Sequence, residues 1–243
     1  MKTEEGSARG PNWSSLITIG VVGLVLSAAI VMVLLIEGIE PFSLVSSLLF
    51  VGALILVTRG VKWAAIALLV LCVLWTAASF PFIMPGLFTP ASGLDFVAAG
   101  LQLVSTVVIF IGALGIARSR TAGGAPRKVL AGAAAVMVVV VAVGVVSRLG
   151  FDDAEAESGD ATLVAEEIDF APADIEVASG DAVFVDNKDM SLHTFAVDDL
   201  DLDEPVPGGT GTRVVIDAEP GEYEYYCSLP GHEEDMKGTL TVR

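Results

Sequence analysis
Histidine and cysteine are scarce in this 243-residue chain, which has two of each. The histidines are His193 and His232, both far from the N-terminus. A haem held by histidine within the first 149 residues is therefore excluded. The cysteines, Cys72 and Cys227, fall in parts of opposite character, so no disulfide framework is expected. Basic residues are also few, 13 against 30 acids, for a net charge of −17. No nucleic-acid partner is expected of so acidic a chain. No Asp, Glu, Lys or Arg sits mid-way along any long apolar run, which leaves no sign of a proton relay or ion path.

What the chain has in abundance is apolar surface, 53% of its residues, and this sits oddly with so much acid. The two separate along the sequence. Residues 150–243 hold four of the bases and 25 of the acids, a balance of −21, while residues 1–149 carry a small excess of positive charge. One part is built for lipid and the other for water.

Five apolar runs approach or exceed the roughly 20 residues that cross a bilayer. They lie near 15–36, 42–57, 63–82, 95–117 and 129–146. The first reads as an uncleaved span, because its apolar core is too long for a signal peptide and lacks a small-residue cleavage site. Lys2 and Arg9 precede the first run, Arg59 and Lys62 separate the second and third, and Arg118 to Lys128 separate the fourth and fifth. The remaining connections, 37–41 and 83–94, carry no base. The positive-inside rule then places the N-terminus in the cytoplasm and the C-terminal part outside the cell membrane. The stretch "PFIMPGLFTP" (81–90) reads as an outward-facing apolar loop resting on lipid.

After residue 149 comes an acidic stretch of small residues, 150–160, expected to be a linker. From residue 161 short strand-like runs alternate with turn signals: "TLVAEEIDF", "ADIEVA", "AVFVD", "HTFAV", "RVVID", "EYEYYC" and "GTLTV". About seven strands at this spacing argue for an all-β Greek-key sandwich. The expected architecture is an all-α membrane bundle of about five helices (1–149), a linker, and a β-sandwich (161–243).

The scarce donors gather in this last part. "CSLPGHEEDM" holds Cys227, His232 and Met236 within ten positions, and His193 opens the run "HTFAV" upstream. Hard cations prefer oxygen donors, and a thioether is a poor zinc ligand. Two imidazoles, a thiolate and a weak thioether form the donor set of a blue copper electron-transfer site. A short loop between the last two strands can bring Cys, His and Met to one side of an ion, with His193 pinning the loop to the sandwich.

"DFAPADIEVASGDAVFVDN", "HTF", "PGEYEYYCSLPGH" and "MKGTLTV" resemble the plastocyanin/azurin (cupredoxin) family over residues 161–243. The spacing C-x4-H-x3-M is similar to the azurin type of ligand loop. The resemblance implies one type 1 copper ion held by His193, Cys227, His232 and Met236. It implies an exposed His232 edge, with Leu229, Pro230 and Gly231 as the apolar patch where a redox partner docks. Thr194 follows the first histidine where many relatives have Asn, so hydrogen bonding around the site is expected to differ. The acidity resembles that of halocyanins from salt-loving archaea. It either steers a basic partner or keeps the domain solvated in brine, where a Debye length of about 3 Å at 1 M salt would erase steering.

Further histidines for a second copper centre are missing, as is a second cysteine in the ligand loop. One fully occupied site leaves no position for substrate, so no enzymatic activity is expected. The expected function is one-electron transfer by a membrane-anchored blue copper domain, in a respiratory chain. The alternative is a non-redox module that captures or senses copper, or an accessory subunit of a membrane complex.

Overall fold
The computed structural model describes residues 13–35, 41–61, 63–118 and 127–243. Lys2, Arg9, Lys62, Arg120 and the 37–40 connection, all used above for orientation, lie outside the described residues. Five long apolar helices come first: α1 (Trp13–Ile30, continued by a π-helical turn, Val31–Leu35), α2 (Pro41–Thr58), α3 (Ala64–Phe88), α4 (Gly93–Arg118) and α5 (Arg127–Leu149). Each is long and apolar enough to cross a membrane. The chain divides into two compact units, one of Met1–Ala29, Glu40–Ala78 and Gly100–Val140, the other of Ile30–Ile39, Ser79–Ala99 and Val141–Arg243.

In the first unit, Ile17, Val21 and Leu24 of α1 pack with Phe50, Leu68, Cys72, Trp75 and Ile109. Small residues allow α1 and α4 to approach closely: a Cβ on Gly20 would stand 2.8 Å from the Ser105 carbonyl oxygen. Cys72 behaves as a small buried hydrophobe, its thiol directed at the Thr106 carbonyl. In α4, 61% of the most apolar stretch is buried, against 11% in α2 and 6% in α5, so the last two present nearly bare apolar surfaces.

The apolar stretch 81–90 is not a loop. Helix α3 runs to Phe88 and carries Pro81 and Pro85 within it. Each proline removes one backbone hydrogen bond, a loss that neighbouring helices and local adjustment make tolerable in membrane helices. The connection to α4 shrinks to Thr89–Ser92, and it belongs to the second unit. There Ser92 donates to the Asp95 carboxylate, which also accepts from Leu192 N at 3.0 Å. Ser92 Oγ accepts from Gly208 N at 3.3 Å, and Arg148 Nη2 donates to the Gly209 carbonyl at 3.1 Å.

The rest of the second unit is a β-sandwich of nine strands, two more than the run count suggested. They are β1 (Ala161–Glu166), β2 (Asp169–Ala171), β3 (Asp174–Val177), β4 (Ala182–Asn187), β5 (His193–Val197), β6 (Leu202–Val206), β7 (Gly211–Val215), β8 (Gly221–Tyr226) and β9 (Lys237–Val242). One sheet runs β2-β1-β4-β7 and the other β3-β9-β8-β5-β6. Both are mixed: β1 is parallel to β4 and β3 to β9, and the other pairs are antiparallel. Leu163, Val185, Phe195, Ile216, Tyr225 and Leu240 fill the space between the sheets. The Tyr225 ring lies against Phe170 and Phe195, and its hydroxyl donates to the carbonyls of Pro172 and Ala173.

The run "TLVAEEIDF" is a hairpin rather than one strand. Its two-residue turn places Glu167 at φ 55° and Ile168 at φ 59°, the left-handed pair characteristic of a type I′ turn. The usual Asn-Gly signature is absent, so the sequence shows no turn there. The acidic stretch after α5 runs along β7: Ala154 N donates to the Gly211 carbonyl, and Arg213 grips Asp160 with two hydrogen bonds of 2.8 and 2.9 Å.

Candidate metal centre
Two neighbouring strands of one sheet and a single loop build the site. His193 is the first residue of β5, and Cys227 follows the last residue of β8. The loop 227–236 then returns to β9. Its base continues the β8–β9 ladder one step beyond Tyr226↔Lys237, with Cys227 N donating to the Met236 carbonyl at 2.9 Å. Inside the loop His232 N donates to the Leu229 carbonyl, and Met236 N donates to the His232 carbonyl. Gly231 takes φ +90°, a conformation in which a side chain would be strained, and this reversal brings His232 back over the thiol.

The structure brings His193, Cys227 and His232 together. Cys227 Sγ lies 4.0 Å from His193 Nδ1 and 3.7 Å from His232 Nδ1, and all three donor atoms lie within 4.8 Å of one another. The rings are tilted by 50° with centroids 5.2 Å apart. Metal bonds of about 2.0–2.3 Å, the range known for zinc with the same donors, would set three such atoms about 3.7 Å apart around one ion. The observed spacing fits a single ion with little movement. Met236 is fully buried, and its backbone is bonded to Cys227 and His232.

The surroundings favour neutral imidazoles. Burial holds the pKa of His193 below its ordinary value despite the nearby Asp189, and burial followed by the charge of His193 does the same for His232. A metal then has no second imidazole proton to displace at neutral pH. Burial pushes the Cys227 thiol up, opposed by hydrogen bonds from the backbone of Leu229 and Thr194. A thiol with a raised pKa is protonated below that value, so a metal entering as thiolate ligand must displace its proton. Copper(II) uptake near neutral pH is therefore expected to release about one proton per ion, all of it from Cys227. Calorimetry in two buffers of different ionisation enthalpy measures this directly, and a value near zero would show a preformed thiolate.

Thr194 does take part in the site. Its backbone N–H donates to Cys227 Sγ at 3.4 Å. Its hydroxyl accepts from Ser228 N at 2.7 Å and lies 3.0 Å from Ser228 Oγ, which in turn donates to Asp203. This chain of contacts ties the histidine strand to the cysteine strand. Thr194→Val keeps the shape and removes the hydroxyl, leaving Ser228 N without its acceptor. The copper-thiolate absorption of that variant is expected to shift in energy, with copper still bound at one per chain.

Sequence reasoning missed Asp189. Its carboxylate lies 2.8 Å from His193 Nε2, on the side of the ring away from the thiol. An acid four residues before a ligand histidine was the available signal.

The family model described as the cupredoxin-like domain matches residues 134–242. The match starts within α5, 27 residues upstream of the boundary expected from sequence. No curated protein matches the chain. Among solved structures, a purple cupredoxin from Nitrosopumilus maritimus is 25% identical, with 35% of this chain and 100% of that one covered and a TM-score of 0.30. An amicyanin from Paracoccus versutus is 16% identical, with 37% and 86% covered and a TM-score of 0.31. By the family match and its converging donors, the C-terminal part of this chain is a cupredoxin-like domain whose His-Cys-His site is compatible with one type 1 copper ion.

Proposed function
We propose that the chain is a membrane-anchored blue copper protein that carries single electrons at the outer face of the membrane, in a respiratory chain. The observation that carries this reading is the set of three donors, one thiol sulfur between two Nδ1 atoms, on a rigid two-strand frame with its open side at one half-exposed histidine. Bound there, copper supplies a one-electron couple. His193 and Cys227 would hold it from the buried side and His232 from the exposed side, with Met236 as the weak fourth ligand. With four positions filled by protein, no place is left for substrate, so the domain carries electrons without catalysing a reaction.

The frame explains why the site suits this work. β5 and β8 are neighbours in one sheet, and the loop between Cys227 and Met236 is closed at its base by a ladder bond. This frame would hold the donors in place while the bound ion changes charge. A partner docks where the loop surfaces, at Leu229, Pro230 and the His232 edge, all half-buried. Glu233, Glu234 and Asp235 are exposed beside that patch and favour a basic partner surface at low salt.

The proposal is tested by coulometric titration of the copper-loaded full chain in detergent. One electron per copper, reversibly added and removed, is the expected result. Tight copper(I) binding that cannot be cycled would favour copper capture or sensing instead. The side of the membrane is tested separately, by protease added to intact cells: loss of the C-terminal domain is expected, and its full protection would reverse the orientation.

A further inference from the structure
Asp189 lies in the loop between β4 and β5, and three donors converge on its carboxylate. His193 Nε2 stands 2.8 Å from Oδ2. Glu167 N donates to Oδ1 at 3.0 Å, and Ile168 N points to Oδ2 at 3.4 Å. These two N–H groups come from the β1–β2 turn, whose residues both hold positive φ without being glycine. For a β-branched residue such as Ile168 that conformation is strongly disfavoured. The carboxylate and the turn thus hold each other, and His193 leans on the pair.

The loop is fixed from its other side as well. Asp189 N donates to Asn187 Oδ1 at 3.0 Å, and Gly209 N donates to the Asp189 carbonyl at 2.7 Å. The fully buried Asn187 amide donates to the carbonyls of Ser191 and Val206, each at 2.9 Å. A carboxylate held this firmly dictates where the imidazole proton resides. It accepts from Nε2–H, which leaves the lone pair on Nδ1, the nitrogen turned toward Cys227. It also places a negative charge directly behind a ligand, and negative charge favours the more highly charged ion.

We propose that Asp189 is a positioning residue: it fixes His193 in the Nε2–H tautomer, presents Nδ1 to the metal, and favours copper(II) over copper(I). The last two parts rest on the blue copper reading, whereas the tautomer is a property of the copper-free chain. Held by packing alone, His193 would have no reason to prefer one tautomer.

The test uses the full chain in detergent with 15N-labelled histidine, in which only two rings give signals. Copper-free wild type is expected to show His193 as the Nε2–H tautomer, and Asp189→Ala to show a mixture. In the copper form, Asp189→Ala is expected to lose about 10- to 100-fold in copper(II) affinity. Asp189→Asn keeps an acceptor oxygen without the charge, and should lose less affinity while its reduction potential rises. Because Asp189 also holds the hairpin, both variants are repeated in an E167N/I168G background, whose turn adopts positive φ unaided. Effects that persist there belong to His193. Effects that vanish there, or a wild-type His193 without the Nε2–H tautomer, would overturn the proposal. A wild type with the expected tautomer but no copper-thiolate band would sink the blue copper reading while leaving the positioning of His193 intact.

Discussion

Replacing Cys227 by serine is expected to weaken copper binding about a thousandfold. Whole sites of several ligands are worth roughly 10–16 kcal/mol in small metal-binding proteins, so one dominant ligand of three accounts for about 4 kcal/mol, near a factor of a thousand. The serine oxygen is a poor substitute. It is a hard donor held where a soft one is needed, and its hydroxyl stays protonated at neutral pH. The variant should still fold, because Cys227 N keeps its bond to the Met236 carbonyl and only the donor atom changes. Copper affinity by competition with a chelator reads the effect, and a loss of less than tenfold would mean that the thiol is not a ligand.

Phe195→Ala is expected to destabilise the sandwich by about 3–5 kcal/mol, a large part of the 5–15 kcal/mol that holds an ordinary domain together. Phe195 is fully buried in the middle of β5, and its ring lies 5.4 Å from that of Tyr225. The substitution opens a cavity between the sheets that the packed rings cannot fill. It also loosens the two ligand strands together, since Phe195 stands two residues past His193 and Tyr225 two before Cys227. Proteolysis at increasing urea, with the full chain in detergent, measures the loss. Phe195→Leu retains most of the volume and should cost much less. Equal effects of the two variants would show that ring packing is not what holds β5 to β8.

The ligand residues were legible because they were rare. Two histidines and one cysteine in a long acidic segment stand out against their background, and the C-x4-H-x3-M spacing lies within one loop. The helices were legible because long apolar runs leave a strong compositional signal. Other features depend on groups distant in sequence. The turn at Glu167-Ile168 exists because Asp189, twenty-odd residues later, supplies a carboxylate to its N–H groups. Helix α3 continues through Pro81 and Pro85 although both are local stop signals, because neighbouring helices can satisfy the backbone that proline leaves open. The role of Thr194 was hidden for the same reason: its hydroxyl matters only because β5 and β8 are neighbours in the sheet. Local pattern found the donors, and tertiary structure supplied what orients them.

Residues at helix ends also bond to the loops of the sandwich. Ser92, Asp95 and Arg148, from the ends of α4 and α5 and the connection before α4, bond to backbone atoms at 192, 208 and 209. Leu192 is the residue before His193, and Gly209 is the partner of the Asp189 carbonyl. These bonds reach the β4–β5 loop, next to His193, and the β6–β7 loop, adding to the hydrogen bonds that Asn187 and Asp189 make there.

The most direct test of the central claim is the visible spectrum of the full chain loaded with one equivalent of copper(II). An intense thiolate-to-copper band that bleaches on one-electron reduction and returns on re-oxidation is the result expected of these donors. A colourless copper(II) form would contradict it, and the His193–Cys227–His232 cluster would then need a different function.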